Sequence, residues 1–140
     1  MRLLPAIAWS AACLAGCAMA QPIPDEPLTD RYWRALEIGG KAATVGNNRA
    51  EPHVVLAGNG KTHGSDGCNR FSGSYEASSG LRFGQLASTM MACLPPLDEQ
   101  SRRLATELQA ASAYRIRGRT LELLDAGGAV RMRLEATALR

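Results

Sequence analysis

The chain has little of what most sequence-based assignments depend on. Aromatic residues make up 5% of it, and it has two histidines and four cysteines. None of the cysteines falls in a Cys-x-x-Cys pair, which excludes a thioredoxin-like redox motif. Sixteen basic and thirteen acidic side chains leave a formal net charge of +3, too little to argue for nucleic acid as a partner. Long apolar runs are also missing. The longest apolar-biased stretch, Leu3 to Ala15, contains Pro5 and Ser10, and at roughly 13 residues it falls short of the about 20 needed to cross a bilayer core. Gly60-Lys61-Thr62 copies the end of a phosphate-binding loop, but Val55 stands where that loop needs glycine and no helix follows. A hairpin turn is the better reading.

The amino-terminal segment has a specific pattern. One basic residue, Arg2, precedes the short apolar run, which ends in Leu14-Ala15-Gly16-Cys17. A charged start, an apolar middle, small residues and an acylatable cysteine make a lipoprotein signal peptide over residues 1–16, with Cys17 as the lipidated residue. The alternative is an ordinary secretory peptide cut at Ala18 or Ala20. With acyl chains contributing ~0.8 kcal/mol per buried methylene, a multiply acylated Cys17 would be held permanently in a membrane. Ala18 rather than aspartate after Cys17 resembles the sorting signal for an outer-membrane address, with the domain facing the periplasm. Residues 17–30 hold Pro22, Pro24 and Pro27 without apolar periodicity and read as an extended tether. The rest, residues 31–137, suffices for one domain.

From Tyr32 the chain breaks into short alternating runs punctuated by glycine, the pattern of an antiparallel meander. The expected strands are Trp33 to Ile38, His53 to Leu56, Lys61 to Gly64, Asn69 to Glu76, Leu81 to Thr89, Tyr114 to Ile116, Thr120 to Leu124 and Val130 to Ala136. In the last, Val130, Met132 and Leu134 share a face opposite Arg131, Arg133 and Glu135. Leu97, Leu104, Leu108 and Ala111 recur instead at helical spacing, predicting one amphipathic helix over about 97–112. Asp98 and Glu99 complement its dipole, and Glu99 is placed to pair with Arg103. The expected fold class is α+β: a strongly twisted antiparallel sheet or split barrel of about 7–8 strands with one helix covering its apolar face.

The densest motif runs from Gly64 to Tyr75. Period two puts Asn69, Phe71, Gly73 and Tyr75 on one face, and Gly73 between two aromatics suggests a bulge or a close backbone approach. Downstream stands Ala87-Ser88-Thr89-Met90-Met91-Ala92-Cys93. Together, Gly67-Cys68-Asn69 with Phe71, Gly73 and Tyr75, and Thr89 with Met91, Ala92 and Cys93, resemble the signature of the META domain, the family that includes HslJ-type heat-inducible proteins. Trp33 and Leu121-Glu122-Leu123 stand near the start and end that the resemblance leads one to expect. Met90 departs from it, standing where the family often has a basic residue. The resemblance implies a compact α+β envelope domain linked to stress tolerance, with no established catalytic mechanism.

Cys13 leaves with the signal peptide and Cys17 is acylated, so Cys68 and Cys93 are left to pair, and an oxidising compartment favours a disulfide. A loop of about 26 residues would contribute roughly 3.5 kcal/mol by chain entropy. Two buried free thiols are the alternative. His53, His63, Cys68 and Cys93 have zinc-ligand chemistry without the paired spacing of a zinc site. Cys68, His63 and Asp66 offer nucleophile, base and orienter, but strand geometry splays near neighbours to opposite faces. Arg115, Arg117, Arg119, Arg131 and Arg133 form either a basic stripe toward anionic headgroups or a solvated face shared with Glu122 and Glu135. The reading is therefore a non-catalytic envelope lipoprotein with no metal, cofactor or nucleic acid. It is expected to be a monomeric domain that binds an envelope protein or a lipid. A lipid carrier with an apolar cavity is the alternative, and a cysteine- or metal-dependent enzyme a further one.

Overall fold

Alternation of apolar and polar residues, with glycine at the turns, produces the sheet. In a computed structural model that describes residues 16, 17 and 19–138, ten antiparallel strands and one helix follow in the order β1 (Tyr32–Ile38), β2 (Lys41–Ala42), β3 (His53–Leu56), β4 (Lys61–Ser65), β5 (Arg70–Glu76), β6 (Arg82–Phe83), β7 (Ala87–Ser88), α1 (Leu97–Ala110), β8 (Ala113–Arg117), β9 (Thr120–Leu124) and β10 (Val130–Thr137). The expected signal segment lies almost wholly outside the described residues, as does Ala18. Among the described residues no helix is long and apolar enough to cross a membrane.

The sheet runs β6-β5-β4-β3-β1-β10-β9-β8, with β2 added on β1 and β7 on β5. It is not closed. Its two margins approach where the Leu81 amide donates to the Ser112 carbonyl at 3.1 Å. The alternation expected of β10 is present: Met132, Leu134 and Ala136 are buried and Arg133 is exposed. A register shift between Val130 and Met132 puts a bulge at the start of the strand.

The structure corrects the expected strands in two places. Leu81 to Thr89 is not one strand but two short ones. Tyr75 pairs Phe83, and Phe71 pairs Ser88, so five steps on one strand face four on β5 and one residue is extra. Residues 84–86 bulge out there. Gly73 makes this fit possible, because a Cβ on it would stand 2.7 Å from Leu86 Cδ2 and 2.8 Å from the Gln85 carbonyl oxygen. The pairing of Lys41–Ala42 with β1 was not expected at all, since two residues carry no period. With β6 and β7 it raises the strand count above the expected seven or eight.

The helix stops at Ala110, two residues before the expected end, where Ala111 turns to extended backbone. Its N-cap is Pro96, which gives no side-chain cap, after a cis Pro95–Pro96 peptide. The ion pair on its surface is Asp98–Arg102 at 3.5 Å rather than Glu99–Arg103, because Arg103 Nε donates to the Ile38 carbonyl at 3.0 Å. Leu104, Leu108 and Ala111 are buried against Trp33, Ile38, Leu81, Leu121, Leu123, Met132 and Leu134. Each fully buried leucine contributes about 1.5–3 kcal/mol by area. Residue spacing on this helix thus fixes the core, which lies between the sheet and α1.

The strand registers give the sheet two distinct ends. At one lie the β3–β4 turn, Tyr32 at the start of β1, Thr137 at the end of β10 and the β8–β9 turn at Gly118. At the other lie the β4–β5 turn, the end of β1, the β9–β10 turn and α1, whose Arg103 reaches Ile38 and whose Glu107 reaches Arg131.

Candidate functional site

The β4–β5 turn, Ser65-Asp66-Gly67-Cys68-Asn69, is built by local hydrogen bonds that its short polar residues are suited to make. Ser65 Oγ accepts from the Gly67 amide at 3.0 Å, and Asp66 Oδ1 accepts from the amides of Cys68 and Asn69 at 2.8 and 2.6 Å. Gly67 sits at φ +94°, the left-handed region where a side chain is strained, and a Cβ there would also meet Gln100 Nε2. The residue type and the turn require each other.

Two further segments are tied to this turn. Asp66 Oδ2 accepts from Ser101 Oγ at 2.6 Å on the helix. Gln100, 1% exposed, donates from Nε2 to the carbonyls of Asp66 and Thr44 at 3.0 Å each and accepts from the Thr44 amide at 2.7 Å. Gln100 thereby joins α1, the turn and the chain after β2. Residue-by-residue reading of the sequence did not identify it. The available signal is its place in the stripe of Leu97, Leu104 and Leu108, where a polar residue must find partners or pay for burial.

Asn69 holds the second half of the motif. Its Oδ1 accepts from Thr89 Oγ1 at 2.9 Å and from the Met91 amide at 2.7 Å, and its Nδ2 donates to the Met91 carbonyl at 3.3 Å. The Thr89 hydroxyl oxygen accepts in turn from the Arg70 amide at 3.1 Å. Cys68 and Cys93 are disulfide-bonded, their Cα atoms 6.0 Å apart, within the usual ~4.4–6.8 Å. The expected motif residues therefore converge on residues 89–93. Phe71 is buried in the core, and Tyr75, half-buried against it, donates its hydroxyl to the Ala57 carbonyl at 2.5 Å. Burial raises the Tyr75 pKa above its ordinary value.

What this bracing displays is apolar. Met90 is 94% exposed, Met91 55% and Leu94 83%. Beside them an open cleft of about 510 Å³ runs between Cys68, Asn69, Thr89, Met91, Cys93 and Arg102. Thioether side chains are flexible and polarisable, suited to adaptable contact with a partner.

The other candidate chemistries separate. Cys68 Sγ is bonded to Cys93, so Cys68, His63 and Asp66 do not form a thiol nucleophile with its base and orienter. Among the described residues no three His, Cys, Asp or Glu side chains gather as metal ligands. His53 stacks on Tyr32 with ring centroids 4.2 Å apart, and its Nδ1 lies 2.9 Å from the Glu51 carbonyl. Burial, with the charge of His63 as a lesser cause, lowers its pKa. Cys17 is exposed and unbonded.

The arginines read as a basic stripe are mostly committed to carboxylates. Glu122 takes Arg115 at 2.6 Å and Arg133 at 3.2 Å, Arg133 also reaches Glu37 at 2.9 Å, and Arg131 pairs with Glu107 at 2.5 Å. Hydrogen bonds from Arg115 and then Arg133 hold the Glu122 carboxyl below its ordinary value, against an opposing effect of burial. This is a ladder of ion pairs across β8, β9, β10 and β1, and the solvated-face alternative is the one realised.

No curated protein matches the chain. Two solved structures do. A protein from Burkholderia xenovorans, solved by NMR, is 24% identical with a TM-score of 0.63, covering 97% of this chain and 100% of its own. A second NMR structure, also 24% identical, has a TM-score of 0.59 and covers 79% of this chain and 90% of its own. At that identity the likeness concerns the fold. The META domain family model matches residues 26–138, the whole span of the strands, helix and braced loop described above, and the chain belongs to the META domain family.

Proposed function

We propose that this META-domain protein is a lipid-anchored component of the bacterial envelope that acts by binding a partner protein and contributes to tolerance of envelope or heat stress. The observation that carries the reading is how the motif uses its polar groups. Asp66, Asn69, Thr89 and Gln100 spend their hydrogen-bonding capacity on one another and on backbone, and the loop they brace presents Met90, Met91 and Leu94 to solvent. Catalysis would ask such groups to face a substrate; here they hold a surface in place. Exposed apolar side chains grouped on a braced loop are the usual mark of a contact site.

The anchoring part rests on the Leu14-Ala15-Gly16-Cys17 pattern and on an exposed, unbonded Cys17. The core is filled by Trp33, Leu104, Leu108, Leu121 and Met132, and the clefts lie open at the surface. A protein contact therefore fits better than an enclosed acyl chain.

The experiment has two readouts on the full chain expressed in its bacterial host. Intact mass of the membrane fraction is expected to show residues 17–140 plus acyl mass, and Cys17→Ser to release the protein. The combined variant Met90→Ser, Met91→Ser and Leu94→Ser is expected to keep its unfolding midpoint while failing to restore heat survival to a deletion strain. A soluble, unacylated wild type overturns the anchoring, and full rescue by the triple variant overturns the contact surface.

A further inference from the structure

The segment that follows Cys17 does not leave the domain at an arbitrary point. Asp25 Oδ1 accepts from the Gly118 amide at 2.6 Å, and the Glu26 amide donates to the Gly118 carbonyl at 2.8 Å. Both backbone groups of one turn residue are thus held by two consecutive residues of the tether. Glu26 is steadied by Arg31, whose Nε lies 2.7 Å from Oε2, and Ile23 lies beside Gly118. The tether is clipped to the β8–β9 turn through Ile23, Asp25 and Glu26, and residues 17–22 precede the clip.

Resting on the lipid-anchored reading of Cys17, we infer that this clip sets the orientation of the domain: the β8–β9 turn faces the phospholipid headgroups, with Arg117 toward them, and the Met90–Leu94 loop faces away. Length decides the matter. The six residue steps from Cys17 to Ile23 reach at most roughly 21 Å when fully extended, and about 19 Å in the extended form read from the sequence. A strand as long as β10, Val130–Thr137, spans about 24 Å. For the opposite end of the sheet to touch the bilayer, the tether would have to run taut along the whole domain. With ordinary slack the Gly118 end is the one near the membrane.

The clipped end also carries exposed positive charge. Arg117, the last residue of β8 before the clipped turn, is exposed, whereas Arg115, Arg131 and Arg133 are held by Glu122, Glu107 and Glu37. Asp25 and Glu26, the acids at this end of the tether, are occupied by the Gly118 amide and Arg31. A guanidinium with no carboxylate partner among the described residues, next to a membrane-proximal turn, suits phosphate oxygens. The β4–β5 turn, the disulfide and α1 stand at the other end of the strands, so the exposed methionines are offered to proteins in the aqueous space rather than to lipid.

The test uses full-length acylated protein in vesicles of phosphatidylethanolamine and phosphatidylglycerol, with photoreactive benzoylphenylalanine replacing Arg117 in one sample and Met90 in another. Vesicle flotation reports anchoring, and lipid adducts after irradiation report orientation. Both samples are expected to float, with lipid adducts several-fold more abundant from position 117. The double variant Ile23→Ser, Asp25→Ala is expected to float equally and to lose most of that preference. Floating protein with equal adducts at both positions, or with more at position 90, overturns the orientation while leaving the anchoring intact. A preference that survives the double variant overturns the clip as its cause. Protein that does not float overturns the anchoring and the orientation with it.

Discussion

The Asn69 amide connects two stretches of chain that share no strand register at that point. Replacing it by alanine leaves the Met91 amide and the Thr89 hydroxyl without their acceptor, and an orphaned polar group at a partly buried position costs about 1–3 kcal/mol. Asn69→Ala is expected to lose that much in urea unfolding while keeping its circular dichroism; an unchanged midpoint would show that the amide does not brace the loop. Gln100→Leu keeps the volume of the side chain and removes the bonds to Thr44 and Asp66. The expected loss is of similar size, about 1–3 kcal/mol, despite the more apolar side chain. Asn69 stands out in the sequence because it sits in a dense glycine-flanked motif. Gln100 does not, since its partners lie 56 and 34 positions away and long-range hydrogen bonds leave no local period.

Elements were legible in proportion to their length and regularity. His53–Leu56 and Thr120–Leu124 have the boundaries expected from the sequence, the second by its alternation, and the stripe of Leu104 and Leu108 places the helix. Leu81 to Thr89 failed as one strand because a single extra residue opposite Gly73 shifts the period from one side to the other. Alternation cannot reveal a bulge whose cause lies on the neighbouring strand. The same bulge has a test: Gly73→Ala places a methyl group against Leu86 Cδ2 and the Gln85 carbonyl, and forced overpacking costs typically ~1–3 kcal/mol. The expected result is a lower thermal midpoint, with the largest amide shift changes at residues 84–87. Between elements, the Cys68–Cys93 bond closes the unit formed by β5, β6 and β7. Cys68→Ser and Cys93→Ser are each expected to cost up to roughly 3.5 kcal/mol by chain entropy. Near-equal losses from the two single variants would mark the bond itself as the stabilising feature, and unequal ones would point to one sulfur's packing.

At the scale of the whole molecule, the α+β class and the motif were legible because both rest on local pattern, whereas the strand order was not. The placement of β1 between β3 and β10, which brings Glu37 beside Arg133 and completes the ladder with Glu122 and Arg115, is a long-range pairing that alternation alone cannot choose. This ladder and the Tyr32–His53 stack give folding a pH dependence of defined sign. Glu122 is held below its ordinary value of 4.5 by the Arg115 and Arg133 hydrogen bonds, so the unfolded chain takes up its proton first. The stabilisation is complete above the unfolded value and is lost as pH falls through the lower folded one. His53 is held below its ordinary value of 6.5, by burial first and by the charge of His63 to a lesser degree. Here too the unfolded chain binds the proton first, so stability begins to fall below the unfolded value and stops changing once pH is below the folded one. Acid titration of the urea midpoint is therefore expected to show two declines, an upper one beginning near neutrality and a lower one in the carboxylate range. His53→Gln should flatten the upper decline and leave the lower. Glu122→Gln should reduce stability at neutral pH, flatten the lower decline and leave the upper; a lower decline as steep in Glu122→Gln as in the wild type would assign acid sensitivity to other carboxylates and remove the ladder from the account.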